Sequence, residues 1–244
     1  MNFTIDKLTA SHGYEIFNMD NAQGDLVRNP NLYNVLLVNG ARLVPGRIGN
    51  ALELQGRGQY LDLDSQIERC LGNLDRCRHG FTLSVWLKPH TLTENMPFIS
   101  APSYSLFYEQ GQLQAEFNSK GRQWRVSSPR FRTGAWQRVT LTWHSKRGLT
   151  LYVDDELADS DMGRQRLQSD QPASDHMFVG RHLVDTRLTA DMQADELQVW
   201  YDYLDQLRAT GQYQGESFLD SCFKASLFYL RYTNFTFVSS AETA

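Results

Sequence analysis

The sequence predicts an all-β fold, a two-sheet antiparallel sandwich with one short helix near its end, on three observations. Short segments alternate apolar and polar residues along most of the chain; Gly, Pro, Asn and Asp punctuate them at strand-like spacing; and aromatic residues make up 12% of the 244 positions. Segments with helical periodicity are few and short. At 41% hydrophobic and 21% charged, the composition suits a globular chain long enough to bury one sizeable core.

Residues 51–54 and 60–64 alternate on either side of Gly56-Arg57-Gly58, which predicts a hairpin. Residues 81–88 place Phe81, Leu83, Val85 and Leu87 on one face, a core face, until Pro89 ends the run. Residues 104–109 and 113–117 flank the tight-turn pair Gln110-Gly111 and form a second predicted hairpin. Val139, Leu141 and Trp143 share a face, as do Leu149, Leu151 and Val153 across the turn at residues 146–148, the clearest hairpin of the chain. Residues 177–180 and 196–201 supply late strands, and residues 204–209 read as the short helix, ended by Gly211. Trp86 and Trp200 are expected to bury their rings in or beside the sandwich. The domain is expected to span residues 14–211. The tail, residues 212–244, is apolar but interrupted by Asp220, Lys224 and Arg231, and reads as a docked extra strand or a frayed end.

No run of eighteen apolar residues occurs, so no segment reads as membrane-spanning. The net charge of -4 and pI near 5.9 argue against a nucleic-acid binder. The opening residues lack the regions of a signal peptide, whose literal reading is cytosolic; the competing reading is a piece of a longer secreted or membrane-anchored protein. Two features favour the latter. Cys70 and Cys77 flank a short polar loop that a disulfide would close, contributing roughly 2.5 kcal/mol by the chain-entropy estimate. Free thiols or half a zinc site are the alternatives, and Cys222 is left free or intermolecular. Asn2-Phe3-Thr4 and Asn234-Phe235-Thr236 are glycan acceptor tripeptides.

The segments Gly46 to Leu54, Gln59 to Leu63, Gly80 to Pro89, Trp136 to Trp143, Leu149 to Asp155, Phe178 to Arg181 and Asp195 to Trp200, in that order, resemble the laminin-G-like and pentraxin-like jelly-roll domains of the concanavalin-A-like lectin/glucanase group. The resemblance implies a two-sheet sandwich and a range of roles: adhesion modules, glycan binders, calcium-dependent lectin-like proteins and glycoside hydrolases. Asp155 departs from the glycine frequent in the family's hairpin turn, which predicts a longer or looser turn there.

Hydrolases of this fold usually carry their two carboxylates as Glu-X-Asp on one strand, and this sequence contains no Glu-X-Asp. It also lacks the Gly-X-Ser-X-Gly elbow, the His-Glu-X-X-His motif and a phosphate-binding glycine loop, and none of its six His sits at a catalytic or metal-ligand spacing. A non-catalytic chain is the expectation. No Asp or Glu occurs between Phe117 and Val153, a stretch holding Lys120, Arg122, Trp124, Arg125, Arg130 and Arg132. These form the candidate glycan site, with guanidinium groups able to grip sulfates, against the alternative of solvated outer faces. Directly after come five acids within eight residues, of which Asp154, Asp155, Asp159 and Asp161 are candidate calcium ligands, against the alternative of a plain acidic hairpin. Asp195 reads as a turn cap or an Arg partner. No cofactor is required by this reading, calcium being the one candidate. The expected function is extracellular recognition of a glycan or a protein; the rivals are a carbohydrate-active enzyme and a structural spacer.

Overall fold

The computed structural model describes residues 13–17, 19–20, 22–23, 26–27, 35–165 and 174–205. Its strands are β1 (Tyr14–Phe17), β2 (Ala22–Gln23), β3 (Leu26–Val27), β4 (Val35–Val38), β5 (Arg42–Pro45), β6 (Asn50–Gln55), β7 (Tyr60–Ser65), β8 (Phe81–Pro89), β9 (Met96–Ala101), β10 (Tyr104–Glu109), β11 (Gln112–Ser119), β12 (Arg122–Ser128), β13 (Gln137–His144), β14 (Gly148–Val153), β15 (Glu156–Asp161), β16 (Arg164–Gln165), β17 (His176–Val179) and β18 (Asp191–Trp200). An eight-stranded sheet runs β15-β14-β13-β8-β18-β6-β5, with β1 also paired to β18; a ten-stranded sheet runs β16-β12-β11-β10-β9-β17-β7-β4-β3-β2. The predicted antiparallel sandwich is the observed one. Leu204 and Asp205 are not helical, and the rest of the expected helix lies outside the described residues, as do the tail, Asn2, Cys222 and Asn234.

The core follows from alternation. On β8, Phe81, Leu83, Val85 and Leu87 point inward, and the register pairs them with Trp143, Leu141, Val139 and Gln137 of β13. Each inward row of one strand therefore continues across the next. The opposite sheet contributes Phe98, Leu106, Phe117 and Trp124, all buried. Trp124 meets Trp143 edge-on at 5.3 Å between ring centres, and Phe81 meets Phe117 at 6.1 Å, so aromatic pairs link the two layers. Both strongly predicted hairpins form: β10 with β11, and β13 with β14.

Two expectations are corrected. Residues 51–54 and 60–64 are not a hairpin: β6 lies in the eight-stranded sheet and β7 in the ten-stranded one. Alternation shows which side of a strand is buried and does not identify the neighbouring strand. Gly56 and Gly58, with φ of 66° and 77°, turn the chain from one layer to the other; their amides donate to the Ala190 carbonyl and Thr189 Oγ1. The turn at Asp155 is tight, because Val153 pairs directly with Glu156. Asp154 and Asp155 occupy it at φ of 51° and 69°, the two-residue geometry that asparagine and glycine usually provide. Side-chain bonds offset the strain: Asp154 accepts from the Arg138 amide at 2.9 Å and Gln137 Nε2 at 3.2 Å, and Asp155 accepts from the Arg138 guanidinium.

Cys70 and Cys77 form the expected disulfide, with Cα atoms 4.9 Å apart. The loop it closes contains a 3-10 turn, Leu74–Arg76, and buries Leu71 and Leu74 in the main core. Tyr104 Oη donates to the Leu71 carbonyl at 2.7 Å, tying the loop to β10.

Candidate functional site

The basic stretch does not assemble into one surface. Alternation along β12 turns Trp124 inward, where it is 1% exposed and cannot stack on a ligand, while Arg125 takes the opposite face. Arg125 lies beside Glu109 at 3.3 Å and Glu116 at 3.8 Å; Arg130 meets Glu156 at 2.6 Å. The acids that partner the stretch flank its acid-free window in sequence and return to it through strand pairing. Arg122 donates to the carbonyls of Met162 and Gly163 at 3.1 and 3.3 Å. Lys120 and Arg122, with Gly121 and Gln165, line a shallow cavity of about 420 Å³ at the β11–β12 turn. Arg132 stands apart in the loop after β12, its amide donating to Gln137 Oε1 at 2.8 Å.

The acidic run is also dispersed. Asp154 and Asp155 serve the turn described above. Asp159 and Asp161, on β15, reach across to β12 in the other sheet: Asp159 Oδ2 accepts from the Ser127 amide at 2.9 Å and Asp161 Oδ2 from the Arg125 amide at 2.8 Å. Because β16 pairs with Arg122 and Gln123, these amides lie on the part of β12's edge that no strand among the described residues covers. The two carboxylates thus clasp the sheets together along one flank. Gly163 completes the clasp, its amide donating to Asp161 Oδ1 at 2.9 Å and its α-carbon lying so close to Trp124 that a Cβ would approach Nε1 to 2.2 Å. Among the described residues, no three His, Cys, Asp or Glu gather as a metal-holding group.

A smaller acidic site lies elsewhere. The loop 46–50 rests on two carboxylates distant in sequence, Asp195 on β18 and Asp20 in the segment between β1 and β2. Asp195 Oδ2 accepts from the amides of Arg47 and Ile48 at 2.9 and 3.0 Å, which is the turn-capping role expected, and Asp20 Oδ1 accepts from the Asn50 amide at 2.9 Å. Asp195 Oδ1 is buried and has no hydrogen-bond partner among the described residues. Burial raises the pKa of Asp195, the loop amides partly oppose this, and the charge of Asp20 adds to it. Glu196 is raised as well, again mainly by burial.

A second cleft, about 430 Å³, opens on the outward side of the ten-stranded sheet and is lined by Asp62, Ser174, His176, Phe178, Arg181, Leu183, Val184 and Thr186. Register builds it. Phe178 of β17 pairs with Asp62 of β7, which places their side chains side by side, and His176 Nδ1 donates to Asp62 Oδ1 at 2.9 Å. The Arg181 guanidinium covers the rings of Phe178 and Tyr60, at 4.4 and 4.8 Å from their centres. Among the described residues no carboxylate pairs with it. The opposite wall is the loop after Arg181. His182 Nδ1 accepts the amides of Val184 and Asp185 at 3.2 and 2.9 Å, and burial lowers its pKa, which keeps the ring neutral and able to accept. Asp185 holds Arg187, which lowers its pKa to about 2. Val184 is 66% exposed at the rim. Sequence reasoning passed over this site because its two halves carry no motif and meet only through strand pairing.

No curated protein matches the sequence. Among solved structures, domain 4 of AbnA, an extracellular GH43 arabinanase from Geobacillus stearothermophilus solved with arabinotriose, superposes with a TM-score of 0.57 at 14% identity, covering 82% of this chain and 97% of that one. The receptor-binding domain of a botulinum neurotoxin C/D mosaic serotype gives 0.58 at 12% identity, over 83% of this chain. The ligand-binding domain of botulinum neurotoxin serotype D, solved with N-acetylneuraminic acid, gives 0.56 at 14% identity. The chain spans about half the length of these toxin domains, 51% and 50%. At such identities the likeness concerns the fold. A laminin-G profile, described as the concanavalin A-like lectin/glucanases superfamily, matches residues 56–208, more than half of the sequence. The chain therefore belongs to the concanavalin A-like lectin/glucanase superfamily.

Proposed function

We propose that this protein is a non-catalytic glycan-recognition module of an extracellular protein, and that it binds through the cleft on the ten-stranded sheet. The observation that carries the reading is the content of that cleft: a carboxylate, an imidazole and a guanidinium held rigidly beside exposed apolar side chains, the mixture that orients a sugar's hydroxyls and covers its C–H face. Glycoside hydrolysis needs two carboxyl groups flanking the bond, whereas among the described residues the lining of the cleft holds one, Asp62, already bonded to His176, and Asp175 lies beside the cleft without lining it. Structural neighbours solved with arabinotriose and with N-acetylneuraminic acid are compatible with saccharide binding on related folds. The disulfide supports an oxidising compartment. A glycan array probed with the labelled protein, run beside an assay for released reducing ends, tests the reading. Binding without release is expected; release of reducing ends, or no bound glycan, overturns it.

A second reading concerns calcium, favoured by the buried unpartnered oxygen of Asp195. Asp20 and Asp195 would hold the ion, with carbonyl or water oxygens completing its shell, and the ion would pin loop 46–50. Calcium should raise the melting temperature of the wild type and leave Asp195→Asn unchanged. Identical melts in calcium and in chelator would remove the site.

A further inference from the structure

We infer that the cleft selects a neutral sugar through a pair of adjacent hydroxyls, with Asp62 and Arg181 as the two readers. This rests on the glycan-binding reading above and narrows it to one chemical class and two residues.

Charge decides between neutral and acidic sugars. Asp62 lies in the cleft and Asp175 beside it, 3.9 Å from His176 Nε2. The hydrogen bond from Ser65 lowers the pKa of Asp175, which keeps it ionised. Asp185 and Arg187 neutralise each other through paired bonds of 3.0 and 2.8 Å. Among the described residues, what remains is two carboxylates against the single guanidinium of Arg181, with His176 already donating to Asp62. A sulfate or carboxylate entering here would meet a net negative wall at close range. A neutral diol would not.

Geometry and unspent bonding capacity pick the readers. Asp62 uses Oδ1 for the His176 ring and the Asp64 amide, at 2.9 and 2.8 Å, while no hydrogen bond among the described residues engages Oδ2. The Arg181 side chain makes no hydrogen bond among the described residues, and its face lies against two aromatic rings, so it is positioned without losing its N–H donors. An ionised acceptor and an ionised donor on one wall make charge-assisted bonds to two neighbouring hydroxyls, one as donor and one as acceptor. Leu183 and Val184 on the opposite wall offer apolar contact to the C–H face of the ring. The basic pair Lys120 and Arg122 sits at a different turn, in its own cavity, and has no part in this selection.

The test uses an array of neutral, uronic-acid and sulfated oligosaccharides, followed by titration calorimetry with the tightest binder. The proteins are the wild type, Asp62→Asn, Arg181→Lys, and the control pair Lys120→Ser with Arg122→Ser, each checked for an unchanged circular dichroism spectrum. In Asp62→Asn the amide oxygen still accepts from the Asp64 backbone, and Arg181→Lys keeps a charge over the rings while losing the forked donors. Expected are neutral glycans as the tightest ligands, at least tenfold weaker binding by both cleft variants, and less than a twofold change in the control. Tightest binding to sulfated or carboxylated glycans, full affinity in the cleft variants, or loss in the control would each overturn the inference while leaving glycan recognition standing. An array with no binder at all would remove the broader reading and this one with it.

Discussion

The flank formed by β12 and β15 and the cleft formed by β7 and β17 hold similar side chains put to opposite uses. On the flank, charges that look like binding residues in sequence are consumed by the fold: Arg125 and Arg130 by glutamates, Asp159 and Asp161 by backbone amides. In the cleft, Arg181 and one oxygen of Asp62 have no such partners among the described residues. A functional polar group is one the scaffold positions without satisfying, and density of charge along the chain says little about which groups those are.

The sharpest division between the two regions should appear in stability. Gly163→Ala forces a Cβ at φ of 81° against the buried Trp124 ring, and a loss of about 2–4 kcal/mol is expected in urea unfolding, with cleft binding unchanged in the fraction that stays folded. Replacing Cys70 and Cys77 by serine should cost about 2–3 kcal/mol through the closed loop, also without touching the cleft. Asp159→Ala leaves the Ser127 amide without its carboxylate, at a cost of about 1–2 kcal/mol. If that variant lost ligand binding instead, the flank would belong to the site and the contrast would fail.

Acid should act on the cleft first. Burial lowers the folded-state pKa of His182, so its stabilising contribution is complete above the ordinary histidine value near 6.5 and is lost as pH falls through the lowered one. Protonation removes the acceptor of the Val184 and Asp185 amides, and their hydrogen exchange, corrected for the intrinsic rate, should speed up as pH falls through that lowered value while β13 and β14 amides stay protected. Asp195 runs the other way: its raised pKa gives a contribution present below about 3.9 and lost as pH rises through the folded value, so acid should ease the strain at loop 46–50. The smallest effect belongs to Arg125→Ala, an exposed ion pair worth under about 1 kcal/mol.

Much of the sandwich was legible because alternation reports burial directly: the inward row of Phe81, Leu83, Val85 and Leu87 needed no partner to be recognised. Hairpins around Gln110-Gly111 and residues 146–148 were legible because partner and turn are local. The passage from β6 to β7 was not, since both strands alternate alike and it is their pairing, β6 with β5 and distant β18, β7 with β4 and distant β17, that separates them into different layers. The cleft failed to show for the same reason: Asp62 and His176 stand 114 positions apart. The ion pairs of the basic stretch were not legible because its partners, Glu109, Glu116 and Glu156, flank the window from which acids are missing and return to it through strand pairing.

The clasp on β12 also bears on how this protein behaves in a crowd of its own copies. An uncovered strand edge is a template on which a second molecule can build, and globular β proteins guard such edges with short strands and inward-turned charge. Here Asp159 and Asp161 occupy the very amides that an incoming strand would seek. The same two side chains that hold the layers shut therefore close these two amides to an added strand.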